Sequence, residues 1–268
     1  MRIAFALVAA LTALPAFAVD GVVLINQANA LAGNVTPGDT PGFPVTISQS
    51  GSYRLSSNLV ITDPTGTVIQ ITADDVTIDL NGFSIIGPSV CNGHGITPTT
   101  SCTISNTTSV GIDASEHVGV TILNGFIRGM GFVGFVCLGD AHVEGIQAIG
   151  NASGMQANGV VVHNVADYNL IAGFNGTAIF KDNVANGNQI GFLSGLGSGG
   201  MYINNIANFN SGAGFFGQSP GTVVSGNSAT RNGGDQILVA CPASITGNAG
   251  AITFNGSSTG CVVANNSN

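Results

Sequence analysis

The chain has 268 residues, of which only 7% are charged and 40 are glycine, and its net charge is −8. Globular proteins usually carry about a quarter charged residues, and the lack of basic residues excludes a nucleic-acid binder as well as a charge-rich disordered chain. With 44% hydrophobic residues, the length suits one elongated domain with a long core.

Residues 1–18 have the features of a secretion signal. Arg2 provides the positive start, an apolar stretch follows, and Ala16-Phe17-Ala18 is a small-residue cleavage site. The apolar stretch is shorter than the roughly 20 residues of a membrane-spanning helix, and no later segment reaches that length. We therefore expect an exported protein, secreted, periplasmic or on the cell surface, with no membrane span.

Residues 19–44 are predicted to form an N-terminal cap and a lead-in. The apolar residues at helical spacing are Ile25, Ala28, Leu31 and Ala32. They predict a short amphipathic helix that ends at Gly33 and covers the first turn of a repeat protein. Proline and glycine residues between positions 34 and 44 predict a turn-rich connection.

From residue 45 onwards, short β-branched runs predict successive short strands. Residues 88–109 break this rhythm with a segment rich in Thr, Ser, Gly and Pro, which predicts an insertion that projects from the wall of the repeat structure. Val110 resumes the strand pattern.

An asparagine hexad recurs four times between residues 157 and 232, at a period of roughly 20 residues. The hexads begin at Asn164, Asn183, Asn205 and Asn227. A large apolar residue after glycine recurs with the same period, at Phe135, Met155, Phe174, Phe192 and Phe215. Strands of three to five residues at this period predict the turns of a parallel β-helix, with the phenylalanines stacked in its interior. We interpret the asparagines as corner residues with left-handed backbone, whose amides bond from turn to turn.

This pattern, together with the upstream run Ala73-Asp74-Asp75-Val76-Thr77-Ile78-Asp79-Leu80-Asn81-Gly82, resembles the right-handed parallel β-helix proteins of the pectin-lyase-like superfamily. The resemblance covers residues 45–268 and implies an all-β, right-handed solenoid of about ten turns. It implies no single activity, because that architecture is similar in lyases, glycoside hydrolases, epimerases and non-catalytic surface proteins.

Five cysteines accompany the predicted export. Cys91 and Cys102 flank the inserted loop and are the preferred disulfide pair, while Cys241 and Cys261 are one turn apart and are predicted to form a second. Cys137 is left unpaired, and its V-C-L context favours a buried thiol over a nucleophile.

The candidate catalytic residues are Glu144, His163 and Asp182. One residue before each corner, they would stack with Asn204 at about 4.8 Å per turn. A glutamate beside a histidine suits acid/base chemistry, whereas the alternative is an ordinary polar row on a solvated face.

A second polar group predicts a metal site at another corner. Its members are Asp113, Glu116, His117, Asp140 and His142. Carboxylates and imidazoles are ligands for calcium or a transition metal. The sequence identifies no cofactor and leaves a divalent cation as an option.

Two functions follow from these observations. The first is a non-catalytic module that binds a polysaccharide or an envelope protein on a rigid face. The alternative is a polysaccharide-active enzyme, a lyase, hydrolase or epimerase, that uses Glu144, His163 and Asp182. The shortage of Arg and Lys counts against a lyase, which must neutralise a uronate.

Overall fold

A computed structural model describes residues 21–89, 108–194 and 199–267, together with the backbone of residues 91–92 and 101–102. The predicted secretion signal lies outside these residues. The chain winds as an all-β parallel solenoid of about nine complete turns, which confirms the predicted β-helix. Most turns contribute one strand to each of three parallel sheets, which we name A, B and C in the order in which a complete turn visits them.

Sheet A contains the strands Val45–Ile47, Thr67–Ile71, Val110–Asp113, the first parts of Val133–Ile149 and Ser153–Val162, Ala172–Gly176, Ile190–Ser194, Phe215–Gly217, Ile237–Val239 and Ile252–Phe254.

Sheet B contains Val23–Ile25, Gly51–Leu55, Val76–Asp79, the first part of Val120–Arg128, the middle of Val133–Ile149, the end of Ser153–Val162, Ile179–Lys181, Met201–Ile203, Thr222–Ser225, Ala243–Thr246 and Val262–Ala264.

Sheet C contains Leu59–Val60, Ser84–Ile86, the ends of Val120–Arg128 and Val133–Ile149, Val165–Asp167, Val184–Asn186, Ile206–Asn208 and Ser228–Thr230.

A short helix at the N-terminus, Gln27–Ala32, begins after Asn26, whose side chain accepts a hydrogen bond from the Asn29 amide, and it ends at Gly33. Its buried residue is Ala30. The predicted apolar face is therefore wrong, because Ala28, Leu31 and Ala32 are exposed and Ile25 belongs to the preceding strand.

Two columns of buried asparagines tie the turns together. The first corner, between sheets B and C, contains Asn164, Asn183, Asn205, Asn227, Asn248 and Asn266. In each step one side-chain oxygen accepts from the backbone N–H and the side-chain NH₂ of the asparagine one turn before, as Asn183 does for Asn164 at 2.9 and 3.1 Å. The second corner, between sheets C and A, repeats this arrangement with Asn151, Asn169, Asn188, Asn210 and Asn232.

The predicted stacking of the asparagines is thus confirmed, but their predicted backbone conformation is wrong. The left-handed residue is the one before each asparagine, such as His163 with φ 55° and Asn204 with φ 53°. The asparagine itself points inward, because its amide must reach the next turn.

The core contains the predicted phenylalanine column. Phe135, Met155, Phe174, Phe192 and Phe215 are register partners in sheet A and are fully buried. The rings of Phe174 and Phe192, and of Phe192 and Phe215, are stacked with centroids 4.8 Å apart.

A second interior stack is contributed by sheet B, where the rings of Phe180 and Tyr202 lie 5.6 Å apart. Burial raises the pKa of Tyr202, whereas an interaction with the Ser194 side chain opposes that rise. The buried Tyr202 hydroxyl has no hydrogen-bond partner among the described residues.

The predicted insertion at residues 88–109 contains a two-stranded antiparallel sheet, Cys91–Asn92 with Ser101–Cys102, which is separate from the solenoid sheets. Cys91 and Cys102 are register partners, but their side chains lie outside the described part, so their disulfide stays a prediction. The Cys241–Cys261 disulfide is present, and Cys137 is a buried free thiol as expected.

Candidate functional site

Five charged or polar side chains form a continuous row on the outside of the solenoid. His142 and Glu144 point outward from the same strand of sheet B, because residues two apart in a strand share a face. His163 lies at the first corner of the next turn, and Lys181 and Asp182 lie at that corner one turn further. We call these five residues the ionic row.

Each member of the ionic row contacts the next one. Glu144 is hydrogen-bonded to both imidazoles, with 3.2 Å between Oε2 and His142 Nε2 and 3.2 Å between Oε1 and His163 Nδ1. The other nitrogen of His163, Nε2, lies 3.7 Å from Asp182 Oδ2, and Lys181 Nζ lies 3.7 Å from the same oxygen. The structure therefore brings the predicted residues Glu144, His163 and Asp182 together.

The predicted register of this row was wrong by one residue at Glu144. His163, Asp182 and Asn204 share the left-handed corner position, but in the preceding turn that position belongs to Gly145. Glu144 is instead the strand partner of Val162. The reason is that Ile146 occupies the position that an asparagine of the first column occupies in later turns. This turn therefore has no asparagine from which the corner position can be counted.

The ionic row is open to solvent, with side-chain exposures from 32% at Asp182 to 60% at His163. The hydrogen bond from His163, followed by that from His142, lowers the pKa of Glu144. Glu144 is consequently a carboxylate at neutral pH, able to accept hydrogen bonds or a proton but not to donate one.

Aliphatic side chains continue the same outer face beyond the ionic row. Val160, Ile179 and Met201 are successive register partners after His142, and Ile179 and Met201 are 38% and 37% exposed. This surface was not predicted from the sequence. Its signal is that Val160, Ile179 and Met201, which stand at an outward position of three successive strands, are apolar, whereas a solvated face is usually polar.

The five predicted metal ligands are not brought into one group. Asp113 accepts hydrogen bonds from the backbone and hydroxyl of Ser115, and His117 Nδ1 lies 3.0 Å from Asp74 Oδ1. Asp140 lies beside Gly159, Glu116 is exposed, and His142 belongs to the ionic row. Within the described ranges, no cluster of three or more His, Cys, Asp or Glu side chains has an arrangement that could hold a metal ion.

Comparisons with known proteins add little to this geometry. No family model and no curated protein matches the chain. Among solved structures, it is similar to the crystal structure of the Dettilon tailspike protein, at 13% identity and a TM-score of 0.31, with 83% of this chain covered. The match spans 56% of the tailspike chain, and a likeness this distant says nothing about ligand or activity.

In the described part of the chain, no helix has the length and apolarity to cross a bilayer.

Proposed function

We propose that this protein is an exported, non-catalytic binding module that holds a polysaccharide against the outer face of sheet B. The observation that carries this proposal is the ionic row, in which hydrogen-bonded carboxylates and imidazoles are fixed on an open, rigid surface. Groups that are already oriented by their neighbours lose little conformational entropy when a ligand binds.

The state of Glu144 favours binding over glycoside hydrolysis. A hydrolase needs one carboxylic acid that is protonated at working pH and a second that is ionised. The two histidine hydrogen bonds lower the pKa of Glu144, which is the opposite of what the acid requires. As a fixed carboxylate, Glu144 suits the role of acceptor for sugar hydroxyls.

The repeat supports a ligand that lies along the solenoid axis. Successive turns are about 4.8 Å apart, comparable with the length of one sugar in an extended chain. Polar and aliphatic side chains recur turn by turn on this face. The polar ones are Glu144, His163 and Asp182, and the aliphatic ones are Ile179 and Met201. The hydroxyls and C–H faces of consecutive sugars therefore meet similar surroundings. The resemblance to pectin-lyase-like proteins also supports a saccharide ligand.

Export is supported by the Cys241–Cys261 disulfide, because such bonds persist in oxidising compartments.

The test is calorimetric titration of the purified protein with a panel of neutral and acidic polysaccharides. We expect at least one to bind, with Glu144→Gln and His163→Ala each weakening it about tenfold. The matched control is Gln156→Ala, on the outer face of sheet A. Absence of binding across the panel, or equal affinity of wild type and both row variants, would refute the proposal.

One observation favours an enzyme as the second candidate. The hydrogen bond between Glu144 and His163 resembles the carboxylate–imidazole pair that orients a general base. A lyase, hydrolase or epimerase built on this pair would degrade or convert a polysaccharide of the panel, and Glu144→Gln and His163→Ala would abolish turnover. Equal turnover by wild type and His163→Ala would remove this candidate.

A further inference from the structure

The second corner of the solenoid carries bulky side chains at a backbone position that disfavours them. The left-handed residues of successive turns there are Gly129, Gly150, Tyr168, Gly187, Phe209 and Arg231, with φ between 56° and 72°. The first corner uses asparagine or glycine at most of its equivalent positions, such as Asn124, Gly145, Asn204 and Gly226. Bulky side chains disfavour left-handed backbone, and such strain concentrates at functional positions.

The two aromatic side chains are half-buried on the outside of this corner. A Cβ at Gly187 would point outward and would come within 2.8 Å of the Tyr168 ring, so the ring lies over the outer side of Gly187. Phe209 is one turn beyond Gly187, and the guanidinium of Arg231 lies over its ring, 5.4 Å from the centroid. Arg231 forms no ion pair with the rest of the described chain. We call Tyr168, Phe209 and Arg231 the aromatic ridge.

Polar side chains run beside the ridge on the outer face of sheet C. Asp167, Asn186, Asn208 and Thr230 are successive register partners. Asn208 Oδ1 accepts hydrogen bonds from the Thr230 backbone and hydroxyl at 3.1 and 2.8 Å. Burial raises the pKa of Asp167, and the other three members of the strip are uncharged amides and a hydroxyl.

We propose that the aromatic ridge is a second glycan-binding site, specific for a linear, uncharged polysaccharide. The site is distinct from the ionic row, since sheet C separates the two corners, and it stands whether or not the row binds a ligand.

The chemistry of the ridge matches that ligand. Aromatic faces attract the C–H faces of sugar rings, and flat amphipathic groups do so at low entropic cost. Tyr168 and Phe209 are two turns apart, about 10 Å, which is close to the length of two sugars in an extended chain. The amides and hydroxyls of the neighbouring strip then lie where sugar hydroxyls need partners. A polyanion would meet only one cation, Arg231, on a chain of net charge −8, whereas an uncharged glycan meets no repulsion.

The test uses a β-1,4-linked glucose hexasaccharide as the uncharged probe and a galacturonate hexasaccharide as the acidic one. Tyr168→Asn and Phe209→Asn remove the rings, and asparagine suits the left-handed corner, so both variants should keep the wild-type melting temperature. We expect each to weaken binding of the glucose probe about tenfold. Gln189→Ala, an exposed neighbour on the same corner, should leave it unchanged.

Three results would overturn the proposal: no binding of the glucose probe by wild type, unchanged binding in both ridge variants, or tighter ridge-dependent binding of the galacturonate probe. Glu144→Gln measured in parallel separates this site from the ionic row. A loss confined to Glu144→Gln assigns the glycan to the row and refutes the ridge, while a loss in the ridge variants supports the ridge independently of the row.

Discussion

Replacing Asn183 by alanine should destabilise the solenoid more than any surface change, because this residue sits in the middle of the first asparagine column. Its side-chain oxygen accepts from the Asn164 backbone N–H at 2.9 Å and side-chain NH₂ at 3.1 Å. Its NH₂ donates to Val161 O at 2.8 Å and Asn205 Oδ1 at 3.1 Å. All four bonds are lost in Asn183→Ala.

The cost follows from which groups are left without a partner. Asn164 Nδ2 keeps its bonds to backbone oxygens, and Asn205 Oδ1 keeps the bond from the Asn183 backbone. The Asn164 N–H loses its partner inside the protein, whereas Val161 belongs to the backbone ladder with the strand Ile179–Lys181. One buried unsatisfied donor costs about 1–3 kcal/mol.

Urea denaturation followed by circular dichroism measures this cost. Asn175→Ala, on the outer face of sheet A, is the matched control and should change the free energy of unfolding by less than about 0.5 kcal/mol. Asn183→Asp keeps the shape but removes the donors, and should also be strongly destabilising. The reasoning is refuted if Asn183→Ala costs no more than Asn175→Ala.

Three further outcomes are expected. Phe192→Ala should cost about 3–5 kcal/mol in urea denaturation, because the ring is stacked on both sides, whereas Leu193→Ala on the outer face should cost much less; equal costs would contradict the interior stack. Tyr202→Phe should leave the free energy of unfolding unchanged or raise it by about 1 kcal/mol, because it removes a buried hydroxyl without a partner. A clear loss of stability would contradict this by showing that the Tyr202 hydroxyl has a hydrogen-bond partner. In NMR titration, Glu144 should ionise below its ordinary pKa of about 4.3, and His163→Gln should raise that pKa. Because the folded-state pKa is the lower one, this contribution to stability is present above the ordinary pKa and disappears as the pH falls through the folded-state value; an ordinary pKa in the wild type would exclude the Glu144–His163 bond.

The fold was predictable because two residue types repeat with one period. Asparagine and phenylalanine each mark a position where the turns above and below impose the same requirement. For asparagine it is a side-chain hydrogen bond to the next turn, and for phenylalanine it is a stacked ring. Each corner has a left-handed residue followed by a buried asparagine of the column. The sequence did not distinguish the two positions, since asparagine suits both.

The candidate site was predictable only in part. Counting from the asparagines identified Glu144, His163 and Asp182. The count was wrong by one residue at Glu144, because Ile146 replaces the asparagine of the first column in that turn. The aromatic ridge was missed because Tyr168 and Phe209 lie inside the asparagine hexads. Their outward direction depends on backbone angles that the sequence does not display.

Oxidative footprinting of Met201 tests the proposed function most directly. This side chain is 37% exposed on the outer face of sheet B, beyond the ionic row, and exposed methionine oxidises readily. With the polysaccharide that binds most tightly in calorimetry, we predict that Met201 is protected while Phe216, on the outer face of sheet A, reacts at its unliganded rate. Saturating polysaccharide that leaves Met201 oxidation unchanged would contradict the account.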